Sequence, residues 1–142
     1  MHDILVPVHS ILRWILMLLL FASLIKSIQG LMSKRAFTGA DNKISLFLMI
    51  AAHTQLVVGL VLYIPWVSMD SSIPEVRFFK MEHLTMMLLA IALITIGRIR
   101  SKKAADAHKK FRNLFIYNLL ALILIILAIP WPCLSMVNRP WF

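Results

Sequence analysis

Four long apolar runs separated by short polar segments dominate the chain, at about Ile4 to Ile28, Ile44 to Ile64, Phe78 to Ile99 and Phe111 to Ile129. Each is near the roughly 20 residues that a helix needs to cross the hydrocarbon of a bilayer. The pattern predicts an all-α protein, a four-helix up-down transmembrane bundle forming a single domain over residues 1–142. Pro65, Pro130 and Pro132 mark the ends of helices two and four, because proline has no amide proton to continue the ladder. Between the second and third runs, Trp66 to Arg77 holds Ser71, Ser72 and Pro74, a capping sequence for helix three and a short lid over whatever lies at that end. Gly39, Asp41 and Asn42 read as a turn and cap before helix two.

Composition agrees with this pattern: 61% of the residues are hydrophobic and 15% charged, whereas an ordinary soluble domain is about half apolar. The first run reads as a span rather than a cleavable signal, since no basic segment precedes it and Arg13 interrupts it. A net charge of +9 invites a nucleic-acid reading, but placement explains it better. Eleven of the fifteen basic residues flank the first and third connections, among them Lys34, Arg35, Arg100, Lys102, Lys103 and Arg112. By the positive-inside rule that side is cytoplasmic, so both termini face away from the cytoplasm, with Trp66, Trp131 and Trp141 at the outer boundary. The expected partners are the lipid bilayer and a larger membrane protein or respiratory complex, with no nucleic acid. The expected location is a bacterial inner membrane.

Polar residues inside such runs are costly and point to a site. With a rise of about 1.5 Å per residue, His9 on helix one and His83 on helix three both lie about 7 to 8 Å below the outer surface. Helices one and three are diagonal in an up-down bundle, so two imidazoles at one level can approach a flat macrocycle from opposite faces. Gly59 on helix two falls near the same level and can leave room for a porphyrin or simply serve helix packing. Arg13, one turn below His9, needs an anionic or polar counterpart: a haem propionate, Glu82, or the pair His53 and Gln55. Glu82 points roughly 100° away from His83 around its helix, and Arg77 and Lys80 are its other candidate partners.

His53 lies about 9 Å deeper than the level pair. It can ligate a second haem, bind a quinone headgroup or proton, or be a satisfied core histidine; with helix two in a different register it would replace one of the other two ligands. His108, in the segment SKKAADAHKKFR, reads as solvated, and the methionines as apolar filling. Cys133 is the single cysteine and there is no Cys-x-x-Cys-His run, so any haem is non-covalent, of b type. Phosphate loops and nucleophile elbows are absent.

The stretches VHSILRW, AHTQLVVGLVLY, RFFKMEH and IPWP together resemble small four-helix bacterial membrane proteins labelled cytochrome b-like, over essentially the full length. The resemblance implies a b-type haem, membrane electron transfer, and importance for His9, Arg13, His53, Gln55, Glu82 and His83. More distantly the chain looks like one half of the haem-carrying bundles of larger respiratory proteins, from whose two-haem pattern His53 departs. The expected function is therefore electron transfer through one haem b on His9 and His83, with His53 the lead to a second and a quinone as exchange partner. An electron-passing subunit fits better than an autonomous enzyme. The alternatives are a haem-free accessory subunit of a membrane complex and a small proton or metal carrier.

Overall fold

The computed structural model describes residues 2–130, excluding the side chains of His2 and Asp3. It is an antiparallel bundle of four helical rods joined by short connections. The first, α1, runs His2–Ser33, and the second, α2, runs Gly39–Tyr63 and tightens into a 3₁₀ segment over Ile64–Ser68. The third, α3, spans Pro74–Lys103, and within it a π-helical turn, Phe78–His83, separates a first α turn from the long helix Leu84–Lys103. The fourth, α4, runs Ala107–Ala128. All four are long and apolar enough to cross a membrane, and the chain is a multi-pass membrane protein of helical-bundle architecture.

The helices extend beyond the apolar runs because their polar ends keep helical backbone. α1 continues through Lys26 to Ser33, and α3 begins at Pro74, where a residue without an amide proton costs nothing in the first turn. The α geometry of α2 stops at Tyr63, and Pro65 sits inside the 3₁₀ segment that follows. The cap of α2 is Thr38: its hydroxyl accepts from the Asp41 amide while the Asp41 carboxylate accepts from the Thr38 amide, a reciprocal capping box. Pro74 opens α3 as its sequence suggests, and Ser72 is tied to Asp70 in the preceding turn. Pro132, Trp131, Trp141 and Cys133 lie outside the described residues.

Residues spaced three and four apart on each helix form the interior. Leu16, Leu20 and Leu24 on α1 meet Leu48 and Ala52 on α2, Ala90, Ile91 and Ile94 on α3, and Ala121, Leu122 and Ile125 on α4. Large apolar side chains also cover the outside, Leu18, Phe21, Val57, Leu89 and Leu127 among them. In lipid that outer surface drives no helix–helix association, so close packing and interhelical hydrogen bonds must hold the rods together. α1 packs on α2 and α4, and α3 on α4 and α2, leaving α1 and α3 diagonal.

A polar cross-link joins each neighbouring pair. Asn118 donates to the Ser23 hydroxyl at 2.9 Å between α4 and α1, and Arg98 donates to the Asn42 carbonyl at 3.0 Å and to the Ser45 hydroxyl between α3 and α2. Gln55 donates to the His9 carbonyl at 3.0 Å between α2 and α1, and His83 donates to the Ala128 carbonyl at 2.7 Å between α3 and α4. Such bonds contribute only about 1 kcal/mol apiece in a membrane, but together they fix the rotation of every rod. At the end rich in basic residues, Arg35 forms a bidentate pair with buried Asp41, at 2.7 Å on both arms, and lies over the Phe111 ring. That hydrogen-bonded carboxylate holds the Arg35 guanidinium above its ordinary pKa.

Candidate functional site

At the opposite end, the helices enclose a cavity of about 220 Å³ whose wall includes His9, Arg13, Gln55, Gly59 and His83. The two imidazoles face one another across the diagonal of the bundle, with ring centroids 6.5 Å apart and planes inclined by 62°. Two imidazoles on opposite sides of one metal atom, each nitrogen about 2 Å from it and roughly 1.1 Å from its own ring centre, have centroids about 6 to 6.5 Å apart. The observed separation matches that value, and it also leaves the rings too far apart to bond each other directly.

Each imidazole is positioned from behind. A carbonyl can only accept, so the contact to Ala128 places a proton on His83 Nδ1 and leaves the neutral ring's lone pair on Nε2. A metal-binding histidine commonly has its second nitrogen held in this way, which fixes the ring and raises its basicity. The π-helical turn that ends at His83 holds one residue more than an α turn, and so sets which face of α3 this side chain occupies. Phe79 and Phe78 flank the ring, at 5.7 and 6.2 Å between centroids.

His9 rests on Gly59. A Cβ at that position would stand 3.1 Å from His9 Cε1, so the missing side chain is filled by the imidazole itself. Making room for a histidine ring is therefore the part Gly59 plays, rather than directly admitting a porphyrin. Gln55 holds the His9 backbone through its amide nitrogen, while its own Oε1 and His9 Nδ1 are both buried without a hydrogen-bond partner among the described residues. Arg13 lines the cavity one turn below, its guanidinium carbon 5.3 Å from the centre of the Trp14 ring.

The remaining sequence candidates lie elsewhere. His53 is exposed on the outer surface of α2 and bonds back to the Met49 carbonyl of its own helix, at 2.8 Å, which separates it from the histidine pair. It is neither placed to replace a ligand nor part of the cavity wall. Glu82 is also exposed, 3.6 Å from Arg77, so Arg77 rather than Arg13 is its partner. His108 is exposed, as its setting in the basic segment suggests. Among the described residues no group of three or more His, Cys, Asp or Glu side chains could hold a bare metal ion.

Sequence reasoning missed several wall residues. Tyr63 and Trp66 close the cavity from the end of α2, and Trp66 packs on Phe79 at 5.0 Å. Lys80 donates to the Val67 and Met69 carbonyls at 3.1 and 3.2 Å, which pins the connecting segment across this end of the bundle. The serine- and proline-containing loop suggested a lid, but nothing in the sequence singled out Lys80 as its fastening. No family model matches the chain, and neither the curated proteins nor the solved structures include a match to it.

Proposed function

We propose that this protein is a b-type cytochrome of a bacterial inner membrane, with one haem held between His9 and His83 near the outer face and both termini on that side. The observation that carries the reading is the 6.5 Å separation of two imidazoles on diagonal helices. Support comes from the backbone carbonyl behind His83 and the glycine seat behind His9. The donor set fits the group: two neutral imidazoles in a largely apolar chamber, with Arg13 as a cation for a carboxylate. A haem bound there would be held by His9 and His83 and would supply reversible one-electron chemistry.

The residues perform the rest. The Ala128 carbonyl holds the His83 ring through Nδ1, while Gln55 bonds the His9 backbone carbonyl and Gly59 seats the His9 ring. Leu56, Met87, Ile91 and Ile125 line the chamber with apolar atoms. Among the described residues, the connections between helices are too short to form a pocket for a soluble substrate. That favours a partner within the membrane, a quinone or a larger respiratory complex, over autonomous catalysis.

A visible spectrum of detergent-purified protein is the test. The expected result is a b-type Soret band with split α and β bands on reduction, at one haem per chain. His9→Ala and His83→Ala are each expected to abolish the six-coordinate low-spin form. A colourless, stable protein would remove the proposal in favour of a haem-free accessory subunit or a proton or metal carrier, and normal low-spin haem in both variants would remove the ligand assignment.

A further inference from the structure

Arg98 and Arg100 stand two residues apart near the end of α3 and meet different surroundings. Arg98 is buried and bonded to Asn42 and Ser45 of α2, whereas Arg100 is exposed and lies over the Tyr117 ring of α4, its guanidinium carbon 5.8 Å from the ring centre. Helical side chains lean toward the N-terminus of their helix, so Arg100 leans from the end of α3 into the bilayer while Tyr117, on the oppositely directed α4, leans back toward the basic end. Gly97 lets the two helices approach at this point, since a Cβ there would stand 2.6 Å from Tyr117 Cβ. Exposed Lys103 follows on the Arg100 face of α3. One turn deeper, Ile96 on α3 and Leu120 on α4 are 42% and 46% exposed and form part of the apolar outer surface.

The chain has no acidic side chain left to answer these cations. Of its six acidic residues, Asp41 is held by Arg35, and Asp106 caps α4 and lies 3.3 Å from Lys109. Asp3, Asp70, Glu75 and Glu82 belong to the opposite end of the bundle, and residues 131–142 contain no Asp or Glu. We infer that this corner between α3 and α4 seats an anionic phospholipid, its phosphodiester on Arg100 and Lys103 beside Tyr117 and its acyl chains along Ile96 and Leu120. The planar guanidinium matches a phosphate, and tyrosine settles at headgroup level. A membrane lipid fits better than a soluble acidic protein because the cations continue directly into a lipid-facing apolar surface, and one molecule with an acid head and two chains meets both. The inference does not depend on haem.

The test mixes the full-length protein in detergent with equal amounts of dioleoyl phosphatidylglycerol and dioleoyl phosphatidylcholine and counts retained lipid by native mass spectrometry. Wild type is expected to keep a first phosphatidylglycerol with roughly tenfold preference or more, the scale of two cations at a headgroup. Arg100→Gln and Lys103→Gln should each lower that preference roughly fivefold. Arg100→Lys should keep part of it. Lys43→Gln, an equal loss of charge on α2, the helix diagonal to α4, should leave it unchanged, and excess glycerol 3-phosphate should not displace the lipid. Equal retention of the two lipids by wild type overturns the inference. So does a loss in Lys43→Gln as large as in Arg100→Gln, which would mean diffuse attraction without a seat. Displacement by glycerol 3-phosphate would make the corner a site for a soluble phosphate, and displacement by polyglutamate a site for an acidic protein; either result overturns it as well.

Discussion

Two glycines show how differently the ends of this bundle are built. At the basic end, Gly97 on α3 admits Tyr117 so closely that a Cβ there would stand 2.6 Å from the tyrosine Cβ, and the space is filled. At the other end, Gly59 admits the His9 ring, and beyond that ring the helices leave a chamber. Asp41 and Arg98 are buried and bonded to neighbouring elements, whereas His9 Nδ1 and Gln55 Oε1, like Asn118 Oδ1 in the middle of the bundle, are buried without a hydrogen-bond partner among the described residues. One end of the molecule is packed solid around its glycine, and the other leaves a chamber beside its histidine pair.

That contrast can be broken from the basic end first. Gly97→Leu should cost about 3 kcal/mol, the upper range for overpacking a filled interface, measured as a lowered thermal midpoint in detergent. Any haem signal should be lost with unfolding and not before it. Asp41→Ala removes a bidentate partner and a capping box together; because the Arg35 side chain is 30% exposed, the expected loss is about 2 kcal/mol rather than the full figure for a buried pair. At the hollow end, Gly59→Ala crowds the His9 ring by a few tenths of an ångström, with an expected loss under about 1 kcal/mol. On the proposed haem function its signature should be spectroscopic, a changed low-spin electron paramagnetic resonance with the thermal midpoint nearly kept. The smallest effect belongs to His53→Ala, which should leave both spectrum and stability at wild-type values. A shifted spectrum there would place that histidine in the site after all.

The four helices could be read from apolar run length alone, because in lipid the solvent dictates the element. The level pairing of His9 and His83 was equally accessible, since depth along a helix is a matter of counting. Rotation around the helix was not. His53 and Gln55 are two residues apart, and only the contact with α1 decides that Gln55 faces inward while His53 faces out. Arg98 was hidden for a related reason: it sits in a run of basic residues whose charge reads as topology, yet it is 7% exposed and bonded to α2. The π-helical turn had no sequence signal either, being set by how Phe78, Phe79 and His83 pack once α3 meets its neighbours.

That wide turn carries a consequence for anyone comparing or trimming this chain. Because it accommodates one extra residue, deleting a single position between Arg77 and His83 would let the segment relax into an ordinary α-helix of nearly unchanged length. The rod would still span the bilayer, and because a π turn advances each residue by less than the about 100° of an α-helix, the segment before the deletion would keep nearly its orientation relative to the rest of the rod. A close homologue shorter by one residue at this point would therefore keep both ends of the rod in phase and lose the wide turn alone.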